Sequence, residues 1–217
     1  MNCEEHNYAF DVLGHESEEL VSAIFHTVIF LRTLPTLDFK DKVVSYNSYI
    51  GTRDVDCANL DLTYVCINSE QLINKVSSAI KPFAERLRAA ESAEPTNNSI
   101  TLEFGVQRKG TFGLGSEPSV WERWTISLRA KRDIDGDSRH REALSGQVRD
   151  TLLGLIEQVN SPNTYMPSLG GSQSDTEHVI DFSLPDLSPY RFRIYESNSG
   201  HLRPTMGYAT RLLLKYP

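Results

Sequence analysis

The stretch from Leu20 to Leu34 constrains this chain more than any other. Wound at about 3.6 residues per turn, Leu20, Val21, Ile24, Phe25, Val28, Ile29 and Leu31 put apolar groups on nearly every side. A helix without a polar face is stable in water only at the centre of a fold, so the remaining sequence must wrap it. Ser17 followed by Glu18 and Glu19 predicts its start, a capping hydroxyl with acids at the positive end of the helix dipole. Pro35 predicts its stop. Ser22, His26, Thr27 and Arg32 keep the stretch short of the roughly 20 apolar residues of a membrane span, so no transmembrane segment is expected.

The wrapping must come from one large domain or two small ones, since the chain has 217 residues. At 39% hydrophobic and 24% charged, it is globular in composition and needs neither disulfide nor metal to hold a core. Met1 to His6 lacks the basic and apolar parts of a signal peptide. Cys3, Cys57 and Cys66 are an odd set with no disulfide framework, so a soluble protein of a reducing, cytosolic compartment is expected. A net charge of −7 argues against a nucleic-acid binder.

Two further helices are predicted. Ser69 and Glu70 open one whose stripe is Leu72, Val76, Ile80, Phe83 and Leu87, with Pro82 expected to kink or divide it. Asp137 or Ser138 opens the other, over 138–159, where Leu144, Val148, Leu152, Leu155 and Val159 are joined by Leu153 and Ile156. That face is wider than one buried stripe requires, and the sequence leaves open which of its residues look outward. Alternation predicts strands at 43–50, 60–67, 100–106, 124–130, 179–184 and 190–194, with a turn over 51–57. Gly110 to Ser119 is expected as the exposed tip of a hairpin, and 160–174 as a long irregular link. Met206 to Tyr216 reads as either strand or helix. Helices and strands do not alternate as βαβ units, so the class is α+β with a largely antiparallel sheet.

The search for chemistry finds no site. There is no nucleophile elbow, no zinc-protease helix and no phosphate loop. Asp133 to Asp137 resembles the start of a calcium loop, but Ser138 stands where glycine is needed and Leu144 where glutamate is needed. Cys66 reads as a small buried hydrophobe, His26 as a core histidine bonded to backbone, and Asp54 and Asp56 as turn formers. No catalytic residue, metal or cofactor is expected. Residues 106–132 carry six Lys and Arg against two Glu, a basic segment in an acidic protein that suits an acidic partner or a solvated outer face. Trp121 and Trp124, three apart on a strand, are expected on opposite faces, with Trp124 in the core. Phe112 and Leu114, bracketed by Gly110, Gly113 and Gly115, are expected as an exposed apolar contact.

Several segments resemble one family in order and spacing along almost the whole chain. They are Asn2-Cys3, His26-Thr27-Val28, Gly51-Thr52-Arg53-Asp54-Val55-Asp56-Cys57, Asp61-Leu62-Thr63-Tyr64-Val65, Trp121-Glu122-Arg123-Trp124-Thr125, Phe182 and Pro189-Tyr190. The family is autophagy-related protein 101. The resemblance implies a single HORMA domain over 1–217, with three main helices packed on a small, largely antiparallel sheet. It further implies a non-catalytic, cytoplasmic adaptor that forms a heterodimer with the HORMA domain of autophagy-related protein 13 and stabilises it. Such a protein belongs to the autophagy-initiation kinase complex and is recruited to the phagophore assembly site. Family members recruit downstream autophagy factors through a tryptophan–phenylalanine finger. Counting back from Trp121 places Phe112 and Leu114 at those positions, with Gly113 where the family has proline. Val148, Leu152 and Leu155 are the candidate residues of an interface helix. A different HORMA adaptor, clasping a peptide with its C-terminal segment, is the alternative.

Overall fold

The all-round apolar segment is a helix, and the rest of the chain closes around it. A computed structural model of the protein describes residues 3–89, 97–107, 118–131, 138–162 and 164–198. Strand β1 (Glu4–Val12) leads through a 3₁₀ turn (Gly14–Glu16) into α1 (Ser17–Leu31). Short strands follow: β2 (Thr33–Pro35), β3 (Leu37–Lys40), β4 (Val43–Tyr46), β5 (Thr52–Asp56) and β6 (Thr63–Ile67). Then come α2 (Glu70–Ala89), β7 (Asn97–Val106), β8 (Ser119–Ala130) and α3 (Ser138–Val159), and finally α4 (Gln173–Thr176), β9 (Leu187–Pro189) and β10 (Phe192–Asn198). The protein is α+β, as expected.

The main sheet has the order β1-β8-β7-β10, antiparallel except where β1 runs parallel to β8. Its inner face carries Phe10, Ile100, Leu102, Phe104, Trp124, Ile126 and Leu128, all buried against the helices. α1 packs on α2, α3 and β6 together, and Leu20, Val21, Ile24, Phe25, Val28 and Ile29 are sealed. The outer face of the sheet is a polar ladder. Ser99 faces Ser127 at 3.0 Å and Thr101 faces Thr125 at 3.2 Å, cross-strand pairs that satisfy one another's hydroxyls.

Several expectations need correction. β1 escaped the sequence reading because its inward positions include Glu4 and His6, which hide the alternation of Tyr8, Phe10 and Val12. α1 ends at Leu31, before Pro35, and Ser17 does not cap it but donates back to the Gly14 carbonyl at 2.6 Å. Pro82 does not divide α2, because it lies on the exposed side where its missing N–H leaves a carbonyl that water can reach. The expected turn at 51–57 is largely the edge strand β5, whose Arg53, Asp54 and Asp56 are charges of the kind that protect an edge. The expected strand at 179–184 is reduced to one bridge between Ile180 and Tyr190. The two tryptophans do not face apart. A bulge between Phe104 and Gly105 leaves Trp121 as an extra residue on β8, and its ring turns toward Phe104 at 5.6 Å. Both indoles are buried. The expectations for Phe112, Leu114, the Asp133–Asp137 motif and Met206–Tyr216 lie outside the described residues.

Candidate functional site

The wide apolar face of α3 divides in the folded chain. Leu144, Val148, Leu155 and Val159 turn into the core, and Leu152 is half-buried against the small cluster of Ala23, Tyr64 and Cys66. Of the interface candidates, Val148 and Leu155 are buried in the chain's own packing and Leu152 is half-buried. Leu153, 58% exposed, and Ile156, 40% exposed, are what the helix shows outward. Beside them runs a groove of about 370 Å³, lined by Asp61, Leu62, Thr63, Arg149, Leu152 and Leu153. Val65, two residues beyond Thr63 on β6, is also exposed.

The groove's far wall is held by side chains of the two helices. Glu19 of α1 accepts the backbone N–H groups of Ala58 and Asn59 at 2.9 and 2.8 Å, and the Asn59 amide at 3.1 Å. Arg141 of α3 donates to the Ala58 carbonyl at 2.8 Å, and the Asp61 N–H donates to Ser145 Oγ at 2.9 Å. The segment between β5 and β6 is thus fixed by polar bonds as well as by Leu60, which is sealed in the core, while Leu62 stays partly accessible on the groove. An apolar floor between one acid, Asp61, and one base, Arg149, suits docking of a protein surface.

A second construction anchors this scaffold from the end of α1. Arg32, 2% exposed, donates from Nε and Nη2 to the two carboxylate oxygens of Glu122 at 2.8 and 2.7 Å. Its guanidinium lies 5.7 Å from the Trp121 ring, and its carbonyl accepts the Tyr190 N–H at 2.9 Å. The bulge puts Trp121 and Glu122 on the core side together, so the end of α1, strand β8 and the residue after β9 meet at Arg32. Sequence reasoning missed this pair. The signal was Glu122 itself, a charge in the inward phase of Trp124, Ile126 and Leu128, which demands a buried partner.

Among the described residues of the basic segment, Arg123, Arg129 and Lys131 each pair with acids of the same chain. Glu103, nearly sealed on the outer sheet face, receives Arg123 at 2.6 Å, Arg193 at 2.8 Å and the Tyr195 hydroxyl at 2.6 Å. Burial pushes its carboxyl up, but these hydrogen bonds outweigh that and hold it below its ordinary pKa. The same burial, with the bond to Glu103, pushes Tyr195 up to about 12. Arg123 also pairs with Glu5, and Arg129 and Lys131 share Asp11.

Among the described residues, the titratable groups of these surroundings do not assemble a nucleophile with a base. Burial, helped by Glu19 and Asp56, pushes the Cys57 thiol up to about 11, where thiolate is scarce at neutral pH. Burial, followed by the Arg53 charge, pushes His26 down to about 4, and its ring stacks on Tyr64 with centroids 6.0 Å apart. Among the described residues no three His, Cys, Asp or Glu converge to hold a metal, and no helix is long and apolar enough to cross a membrane.

Comparison with known proteins agrees with the resemblance. Residues 11–173 match the family described as Autophagy-related protein 101. Proteins of that name from Xenopus tropicalis and Homo sapiens are 28% and 27% identical over 217 residues, covering 99% of this chain and 98% of theirs. One from Arabidopsis thaliana is 21% identical over 215 residues, covering 88% of this chain and 92% of its own. With three-quarters of its length inside the family match and relatives aligned nearly end to end, this chain belongs to the autophagy-related protein 101 family.

Proposed function

We propose that the chain is a single HORMA domain and a non-catalytic adaptor of the autophagy-initiation kinase complex, pairing with the HORMA domain of autophagy-related protein 13 and stabilising it. The observation that supports this most is the outward pair Leu153 and Ile156 beside the groove at 61–63. Two large aliphatic side chains that the core does not need, on a helix firmly held on its other side, form a surface whose burial would favour association. The groove-side polar bonds fix its shape beforehand, which lowers the ordering cost of binding. Recruitment of downstream autophagy factors is assigned to Phe112 and Leu114, and the site of action to the phagophore assembly site.

Co-expression of the chain with that partner domain, followed by size-exclusion chromatography with light scattering, tests the reading. A stable one-to-one heterodimer is expected. Two separate monomers at micromolar concentration would overturn it. The double change Phe112→Ala with Leu114→Ala is expected to leave the heterodimer intact and weaken capture of downstream factors. Loss of the heterodimer in that variant would refute the division of roles.

A further inference from the structure

One guanidinium nitrogen in the Arg32 junction is left over. Nε and Nη2 are spent on Glu122, while among the described residues Nη1 meets only the Met166 thioether sulfur at 4.0 Å, the outer limit for a weak acceptor. Arg32 is sealed and Met166 is 42% exposed, so this thioether side chain spans from solvent to the buried donor. We propose that Met166 is a reversible oxidation site whose sulfoxide oxygen is received by Arg32.

The chemistry balances with a hydroperoxide as oxidant. A sulfur lone pair attacks the distal peroxide oxygen, the O–O bond breaks and an S–O bond forms. After proton transfer the remaining oxygen leaves as water, or as an alcohol from an organic peroxide. Sulfur loses two electrons and the peroxide gains them, and a methionine sulfoxide reductase restores the thioether. An S–O bond of about 1.5 Å along the present sulfur-to-nitrogen line places oxygen roughly 2.5–3 Å from Nη1, the length of a charge-assisted hydrogen bond.

The surroundings determine the sign of the effect. Oxidation within a core inserts a polar group among apolar ones and disrupts it. Met166 instead lies on the link after α3, whose neighbours already rest on the junction. Tyr165 meets Trp121 edge-on at 6.3 Å, and the Tyr190 hydroxyl donates to the Pro167 carbonyl at 3.4 Å. A sulfoxide at Met166 adds a third tie and tightens the link on Arg32.

The test treats the full chain with hydrogen peroxide, locates added oxygen by peptide mass spectrometry and measures melting. Met166 is expected to gain one oxygen, and the oxidised protein to melt about 2–4 °C higher. The Met166→Leu variant, which keeps Met1 and Met206, is expected to show no rise. Met166→Gln carries a carbonyl oxygen at a similar reach and is expected to melt higher than wild type without oxidant. In the oxidised wild type the Trp121 indole resonance should move more than that of Trp124. No oxygen at Met166, a melting temperature that falls or stays put after its oxidation, or a Met166→Gln variant melting below wild type would overturn the proposal.

Discussion

Helices α1 and α3 are both rich in aliphatic residues, and the fold treats them oppositely. α1 is packed on several sides by α2, α3 and β6, and even His26 within it is buried. α3 spends one stripe on the core and shows Leu153 and Ile156 to solvent. An apolar side chain on α1 therefore reports on folding, whereas one on α3 reports on folding when it lies on the inner stripe and, on the proposed function, on association when it lies on the outer one. That difference lets the two roles be separated by substitution.

The largest break is expected at the end of α1. Glu122→Ala leaves Arg32 buried with no counter-charge and should cost about 3–5 kcal/mol, measured by urea unfolding. A loss below about 1 kcal/mol would show that water reaches the guanidinium and that the pair is not sealed. Next comes the inner stripe of α3. Leu155→Ala should cost about 2–5 kcal/mol through the cavity it leaves, as a core position does. Near-wild-type unfolding of that variant would mean the phase of α3 is misassigned.

A pH dependence follows from α1. Burial, with the Arg53 charge, lowers the folded-state pKa of His26 to about 4, below its ordinary 6.5. The unfolded chain therefore binds the extra proton between those values. The stability contributed by neutral His26 is complete above pH 6.5 and is lost as pH falls toward 4, on the order of 3 kcal/mol in all. His26→Leu should flatten that part of the stability profile, and an unchanged slope from pH 6.5 to 4 would contradict the burial argument. The smallest stability effect is expected on the outer face of α3. Leu153→Ser and Ile156→Ser should each shift unfolding by no more than about 0.5 kcal/mol.

Much of this was legible in the sequence, and the failures have physical causes. Periodicity located all three long helices, including α3 at 138–159, because their stripes run over many turns. It located β7 and β8 through the alternation of Ile100, Leu102 and Phe104 with polar neighbours. It missed β1, whose inward His6 is acceptable only because it stacks on Trp124 at 3.8 Å. It misplaced Trp121, since a bulge shifts strand phase by one residue and leaves no periodic mark. On α3, composition could not tell Leu153 from Leu155. Two residues apart on a helix, they point about 200° apart, and only the position of α1 decides which is inside. Glu122 signals by its inward phase that it needs a buried partner, but nothing in the sequence identifies that partner as Arg32, 90 positions away.

The central claim is that the outward face of α3 is an interface, and one titration tests it most directly. The double variant Leu153→Ser with Ile156→Ser is compared with wild type in isothermal calorimetry against the HORMA domain of autophagy-related protein 13. Wild type is expected to bind one-to-one, and the double variant at least 30-fold more weakly, about 2 kcal/mol, with its own melting temperature lowered by no more than about 4 °C. Equal affinity of the two proteins for the partner would contradict the account.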